Sequence, residues 1–254
     1  MAKKRKQNIF SLKNILFVVL FLAVICFGAG LGLFIYYAKD APQFDPNKLR
    51  PSATSFVLDE SGNVIAELHG EQNRVPVTID KVPQDLINAY ISIEDQYFFS
   101  HRGINIRSIV GAVWTDITHG GIRRGASTIT QQIVKNAFLN PEKTLKRKAQ
   151  EAWLAIQLER HYPKEKILEF YLNQIYFGHS AYGVQAAANT YFGKDVDQLD
   201  LAECAMIAGI SNSPLNYSPY LNFENAKRRQ AIVLNTMVDM GYLTQDEAEN
   251  AKKE

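Results

Sequence analysis

The chain has 254 residues, 46% of them apolar and 21% charged, a balance that supports a packed core and excludes a disordered, collagen-like or many-span membrane protein. Its two cysteines, Cys26 in an apolar run and Cys204 far along the chain, exclude a disulfide scaffold and a multi-cysteine zinc site. The net charge of +2 hides an asymmetry: Lys3, Lys4, Arg5, Lys6 and Lys13 have no acid among residues 1–38, so the remainder is net −3 and no basic nucleic-acid-binding domain is present.

Ile15 to Ala38 carries no charge. At ~1.5 Å per residue a helix there reaches about 36 Å, enough to cross a hydrocarbon core of roughly 30 Å with some tilt. The charges that precede it place the N-terminus in the cytoplasm and the rest of the chain outside, with Tyr36 and Tyr37 at the outer interface. A cleavable signal peptide has a shorter apolar stretch, about 7–15 residues, ending at an A-x-A-like site. Here Gly28, Ala29 and Gly30 are followed by further apolar sequence, so an uncleaved anchor is the better reading.

Asp40 to Pro51 holds Pro42, Pro46 and Pro51 and reads as a short stiff linker. Ser55–Leu58 and Val64–Leu68 flank the turn-rich Asp59-Glu60-Ser61-Gly62-Asn63 and predict a hairpin, with Arg74–Ile79 as an added strand. From Pro83 onward the pattern is helical. Leu86, Ile87, Tyr90, Ile91 and Phe98 form one stripe, and Ile106, Ile109, Val110, Val113, Trp114 and Ile117 a second. Gly120, Gly121 and Gly125 break the pattern around Arg123 and Arg124. Thr144 caps a helix to about Arg160, and Pro163 opens another to roughly Tyr176. Asp197 begins a helix through Ala208 with Gly209 as its C-cap. A last long helix covers about Glu224–Met240, ended by Gly241, and Gln245 starts a terminal turn. The predicted organisation is a basic tail (1–14), a transmembrane helix (15–38), a linker (39–51) and one mainly helical domain (52–254).

Glu94 breaks the pattern, because it falls on the apolar stripe of the helix that starts at Pro83. A carboxylate facing apolar surroundings is costly unless paired or protonated, and desolvation is one way a glutamate becomes a base near neutrality. The plainer alternative is a rim residue satisfied by backbone donors or by Arg102 or Arg107. The residues that follow decide between them. Glu94-Asp95-Gln96-Tyr97-Phe98-Phe99-Ser100-His101-Arg102-Gly103 fits E-D-x-x-F-x-x-H-x-G. Gly125 to Gln132 reads G-x-S-T-I-T-Q-Q, Arg147 to Glu151 reads R-K-x-x-E, and Lys166 to Gly178 completes a fourth signature, K-I-L-E-F-Y-L-N-Q-I-Y-F-G. Through these four motifs, in this order, the chain resembles the peptidoglycan glycosyltransferase family, the domain of class A penicillin-binding proteins and monofunctional transglycosylases. The resemblance covers about residues 52–250.

That resemblance implies a lysozyme-like, mainly α fold and the polymerisation of lipid II at the bacterial cell membrane. The growing glycan on its polyprenyl diphosphate is the donor, and the GlcNAc 4-hydroxyl of lipid II attacks its anomeric carbon with inversion. Such a reaction needs a base for the hydroxyl and positive charge for the diphosphate. The family places Glu94 as the base and Glu151 as a second carboxylate near the leaving group. The local alternative for Glu151 is an intrahelical pair with Arg147 or Lys148. Lys135, Arg147 and Lys148 are the implied cations, while Lys143 and Lys146 read as a solvated face. Ser127, Thr128, Gln131 and Gln132 are implied to supply neutral contacts to sugar or phosphate oxygens. Asp95 and His101 are implied to shape the site. Asn173 and Tyr176 sit among residues that read as core.

No cofactor is required on this reading, no metal site is expected, and there is room for a divalent cation beside the diphosphate. The expected partners are lipid II, the growing strand, the lipid bilayer and cell-wall synthesis machinery, with no nucleic acid. The stripe from Ile106 to Ile117 is either a core helix or a segment dipping into the outer leaflet. Two other functions compete. A lysozyme-like hydrolase or lytic transglycosylase needs an acid for a poor leaving group but no phosphate-binding cations, so R-K-x-x-E argues against it. A non-catalytic anchored scaffold needs no Glu94. The chain contains no S-x-x-K, and its ending resembles the close of this domain in longer bifunctional proteins.

Overall fold

In the computed structural model, residues 12–49, 55–58, 64–68, 73–119 and 127–254 are described. From Ile15 onward helix α1 (Leu12–Ala38) is apolar all round. Lys13–Ala38 has a mean hydropathy of 2.8 and is long and apolar enough to cross a membrane. Its far end is docked rather than free. Ala38 is buried, Gln150 Nε2 donates to the Asp40 carbonyl at 3.0 Å, and Lys146 pairs with Asp40 at 3.3 Å. Lys146 thus has a structural partner on the linker. A short 3-10 turn over Pro46–Leu49 buries Leu49, whose carbonyl accepts from Gln174 Nε2 at 2.9 Å.

Strands β1 (Ser55–Leu58) and β2 (Val64–Leu68) pair antiparallel, Ser55 opposite Leu68 and Leu58 opposite Val64, with an irregularity between Val57 and Leu58. The turn at 59–63 lies outside the described residues. The strand expected at Arg74–Ile79 shortens to β3 (Asn73–Arg74), which runs parallel to β4 (Ala181–Tyr182). The reason lies at Pro76 and Asn173. Proline cannot donate to a ladder, and the Asn173 amide stands in for a neighbouring strand. It accepts from Val77 N–H at 2.8 Å and donates to the Val77 carbonyl at 2.8 Å.

The helical body comprises α2 (Gln84–Glu94), α3 (Ile106–His119), α4 (Ile129–Phe138), α5 (Leu145–His161), α6 (Lys164–Gln174), α7 (Val184–Phe192), α8 (Leu201–Ile210), α9 (Pro214–Tyr217), α10 (Phe223–Asp239) and α11 (Gln245–Ala251). Helix α8 is buried along nearly its whole length, with α2, α7 and α10 packed around it. Its start differs from the expectation at Asp197, which lies in a 3-10 turn (Val196–Gln198). Asp200 is the true cap: it accepts from Glu203 N–H at 2.9 Å while Glu203 accepts from Asp200 N–H at 3.1 Å. Gly209 does not end this helix either. It lies inside it, where a Cβ would stand 3.0 Å from Arg229 Cγ, so its smallness serves the approach of α10. The Thr144 cap, the opening at Pro163 and the stop at Gly241 (φ +75°) follow the sequence reading. The helix from Pro163 ends at Gln174, before Tyr176.

The described part of the second stripe, Ile106, Ile109 and Val110, lies on the outside of helix α3. Ile106 is 73% exposed and Val110 62% exposed, so those positions are not core. The side chains of Val113, Trp114 and Ile117, and residues Gly120, Gly121, Arg123, Arg124 and Gly125, lie outside the description.

Candidate active site

Glu94 is the last residue of α2. The helix stops there because Asp95 takes φ −156°, and the Glu94 side chain turns from the apolar stripe into a half-buried position. Gln132 Nε2 donates to Glu94 Oε2 at 2.8 Å, and among the described residues Oε1 accepts no hydrogen bond. Below the pair lies the Tyr171 hydroxyl, 3.5 Å from Gln132 Oε1. Burial, and after it the Glu94 charge, push the Tyr171 phenol well above its ordinary pKa, so it stays neutral beside the carboxylate.

Asp95 is buried and binds two elements together. Its Oδ2 accepts from the Ile129 backbone N–H at 3.1 Å and lies 2.8 Å from His101 Nε2. His101 Nδ1 accepts from Gly103 N–H at 3.1 Å, which assigns the ring proton to Nε2 and makes the imidazole the donor to Asp95. Gly103 has φ +89°, and a Cβ there would stand 2.7 Å from the Ala155 carbonyl oxygen. Its own carbonyl accepts the Thr128 hydroxyl at 2.7 Å. Thr128 caps α4: its Oγ1 accepts from Gln131 N–H at 3.1 Å, and Gln131 Oε1 accepts from Thr128 N–H at 3.0 Å. Thr128 and Gln131 are therefore engaged with the backbone, while Gln132 is the amide that reaches Glu94.

A second constellation sits on α5. Glu151 is 1% exposed; Lys148 Nζ lies 2.6 Å from Oε2 and Arg147 Nε 3.0 Å from Oε1. The Arg147 contact lacks hydrogen-bond geometry, leaving both Arg147 Nε and Glu151 Oε1 buried without one. These are the i−3 and i−4 pairs that helical spacing predicts, with a buried Glu151 between a partly buried Arg147 and an exposed Lys148. Lys148 also donates to Ser127 Oγ at 3.1 Å, joining this group to the start of α4. Lys135 is half-buried on α4, and its side chain has no ion pair or hydrogen bond among the described residues.

Glu94 lies where two clefts meet. One, about 700 Å³, runs between α3 and α10 over a floor that includes Ser92 and Asp95, with Ser127 and Thr128 at its edge. The other, about 270 Å³, is bounded by Gln132, Asn136, Tyr176 and Asn212. Sequence reasoning missed the α10 wall, where Arg229, Ile232, Thr236 and Asp239 line the larger cleft. Their i, i+3, i+7, i+10 spacing was the available signal. It also missed Glu159, which accepts from Thr130 Oγ1 at 2.7 Å and from Lys164 Nζ at 2.6 Å, tying α5 to α4 and α6. Asn173, engaged at Val77, belongs to the frame, whereas Tyr176 borders the smaller cleft.

Chemically, the arrangement offers a fixed carboxylate with one free oxygen, reachable from two sides, and a cationic cluster beside one of them. A family model described as Transglycosylase matches residues 61–238, and the chain belongs to that family. It is 41% identical over 241 residues to penicillin-binding protein 1A of Streptococcus oralis, covering 94% of this chain and 37% of that protein. It is 42% identical over 252 residues to penicillin-binding protein 1F of Bacillus subtilis (strain 168), covering 99% and 34%. The chain thus spans about a third of the length of these relatives. A solved structure of penicillin-binding protein 1A from Haemophilus influenzae aligns with a TM-score of 0.45 and 26% identity, covering 81% of this chain and 21% of that one.

Proposed function

We propose that the domain polymerises lipid II by inverting glycosyl transfer outside the cell membrane. The observation that carries this reading is the position of Glu94: half-buried, oriented by Gln132, at the junction of two clefts, one of them edged by Ser127, whose hydroxyl accepts from Lys148 of the Lys148–Glu151–Arg147 cluster. The acceptor's 4-hydroxyl enters one cleft and gives its proton to the free Glu94 oxygen as its own oxygen attacks the donor's anomeric carbon. The bond from that carbon to the diphosphate breaks, and the diphosphate takes the departing electron pair. Arg147, Lys148 and Lys135 neutralise that charge, with Glu151 holding the first two in place. A diphosphate is already a good leaving group, so the cations replace the acid that a glycosidase needs. With three cations available, the reading needs no cofactor.

Asp95 and His101 are positioning residues in this scheme, holding the start of α4, and so Gln132, against the end of α2. The tail faces the cytoplasm, α1 crosses the bilayer, and the exposed Ile106, Ile109 and Val110 of α3 enter the outer leaflet, where the polyprenyl chains of the substrates lie. The test is Glu94→Gln in the purified protein with labelled lipid II. Loss of polymer with an unchanged melting profile is expected, and near-native turnover removes Glu94 as the base.

A further inference from the structure

Helix α4 is gripped from two sides. Gln132 donates from one flank to Glu94, while Thr130 Oγ1 donates to Glu159 Oε1 at 2.7 Å. Residues two apart are about 200° apart around an α-helix, so the two bonds leave nearly opposite flanks of its first turn. Thr130 is completely buried, and the Glu159 side chain is 7% exposed.

Glu159 Oε1 gathers contacts from three other elements. It accepts from Thr130 of α4 and from Lys164 Nζ of α6 at 2.6 Å, and His101 Nδ1, on the loop after α2, lies 3.8 Å away. Lys164 also lies over the Phe98 ring, 4.5 Å from its centroid. The ion pair with Lys164 meets the charge of Glu159 and closes the turn between α5 and α6 without help from Thr130. What the Thr130 bond adds is orientation. The other polar ties at this end of α4 act on the backbone, where Ile129 N–H reaches Asp95, and at the cap, where Thr128 reaches Gly103. Thr130 reaches outward from the side of the helix, and a bond at the end of a side chain has the longer lever arm against rotation.

We infer that Glu159 is a positioning residue for the Glu94 base. Through Thr130 it sets the roll of α4, and with it the point from which Gln132 orients Glu94. Lys135, three residues beyond Gln132 on the same flank, turns with it. Glu159 shares α5 with Arg147, Lys148 and Glu151, so the same bond fixes the spacing between the base and the cations. The inference rests on the glycosyl-transfer reading and adds to it a residue outside the linings of both clefts.

The experiment measures lipid II polymerisation and thermal melting on the same preparations of the whole chain in detergent. Thr130→Val removes the hydroxyl at nearly constant shape. Its kcat should fall about tenfold or more while KM for lipid II stays within about twofold, because a small misplacement of the base costs rate rather than binding. Thr130→Ser should restore kcat. Glu159→Gln keeps an acceptor for Thr130 but gives up the ion pair, so it should melt earlier and retain most of kcat. Glu159→Met, which offers Thr130 no comparable acceptor, should lose kcat as the valine variant does. Lys164→Met should lower the melting temperature and spare kcat. A native kcat in Thr130→Val, or in Glu159→Met where the valine variant does not fold, overturns the proposal. So does a kcat that falls with melting temperature alike in Thr130→Val and Lys164→Met, as a plain structural brace would give. An unaltered protein that makes no polymer removes the glycosyl-transfer reading and this inference with it.

Discussion

The Thr128 hydroxyl donates to the Gly103 carbonyl at 2.7 Å, fastening the loop that follows Glu94 to the first turn of α4. The same oxygen accepts from Gln131 N–H, so one threonine serves both the helix cap and the loop. Replacing it by valine keeps the shape and removes both bonds, leaving a buried carbonyl unpaired. The expected loss is about 1–3 kcal/mol in urea unfolding. Thr128→Ser keeps the hydroxyl and should recover most of it. Gly103→Ala should cost more, about 2–4 kcal/mol, because a positive φ and a Cβ 2.7 Å from the Ala155 oxygen both oppose it. A valine variant as stable as the parent would show that the hydroxyl's bonds do not hold the loop.

The cations of α5 divide by what they touch. Lys148 reaches Glu151 and Ser127, Lys146 reaches Asp40 of the linker, and Lys143, just ahead of the helix, is exposed. Lys148→Ala and Arg147→Ala should each weaken use of the diphosphate-linked donor about tenfold or more, since charge-assisted contacts to phosphate are worth roughly 1.5–3 kcal/mol. Lys143→Ala should leave turnover unchanged. Steady-state polymerisation across donor concentrations checks this, and an equal effect at all three positions would mean that only net charge matters.

How much of the fold and site is legible in the sequence depends on the range of each contact. The E-D-x-x-F-x-x-H-x-G segment can be read because its bonds lie largely within ten residues: Asp95 to His101, and His101 to Gly103. The Asp95 link to Ile129 spans the gap between two motifs and has no local signature. Helix α8 starts at the Asp200 cap rather than near Asp197, and the D-x-x-E spacing of Asp200 and Glu203 is a capping box that the sequence does spell out. The parallel pairing of β3 with β4 joins segments more than a hundred residues apart, so periodicity within either one says nothing of it. Gly209 resembles a helix end because glycine usually marks one. Its real reason, the Arg229 side chain, belongs to another helix.

His179 and Ser180 occupy the left-handed region with φ +48° and +59°, at the turn leading into β4. Such a conformation strains residues with a Cβ, and Ser180 is exposed while its carbonyl accepts from Asn73 N–H at 2.9 Å. Ser180→Gly keeps that backbone bond and relieves the strain, less the extra entropy glycine brings to the unfolded chain. A net gain of about 0.5–1 kcal/mol is expected. Gly183→Ala should move stability the other way, because at φ +87° an added Cβ would stand 3.0 Å from the Asn173 carbonyl oxygen. Thermal melts of the two variants settle the sign.

The last prediction concerns alkaline pH. Tyr90 and Tyr171 meet edge to face at 5.8 Å in the core, and burial pushes both phenols well above the ordinary value; burial also pushes the Cys204 thiol up. Unfolding returns each group to its ordinary pKa, about 10 for tyrosine and about 8.5 for cysteine. Between the ordinary and the raised values the native state holds protons that the unfolded chain has released, so stability falls as pH rises. Below about pH 8 these groups are protonated in both states and contribute no slope. Above about pH 10.5 each adds a loss of about 1.4 kcal/mol per pH unit. Urea midpoints measured from about pH 8 to 11.5 should therefore decline with increasing steepness. Tyr171→Phe removes one titrating group and should reduce the slope above about pH 10.5 by about 1.4 kcal/mol per unit. An unaltered slope in that variant would mean that the Tyr171 hydroxyl is reached by water in the native protein, and that the floor beneath Glu94 and Gln132 is open.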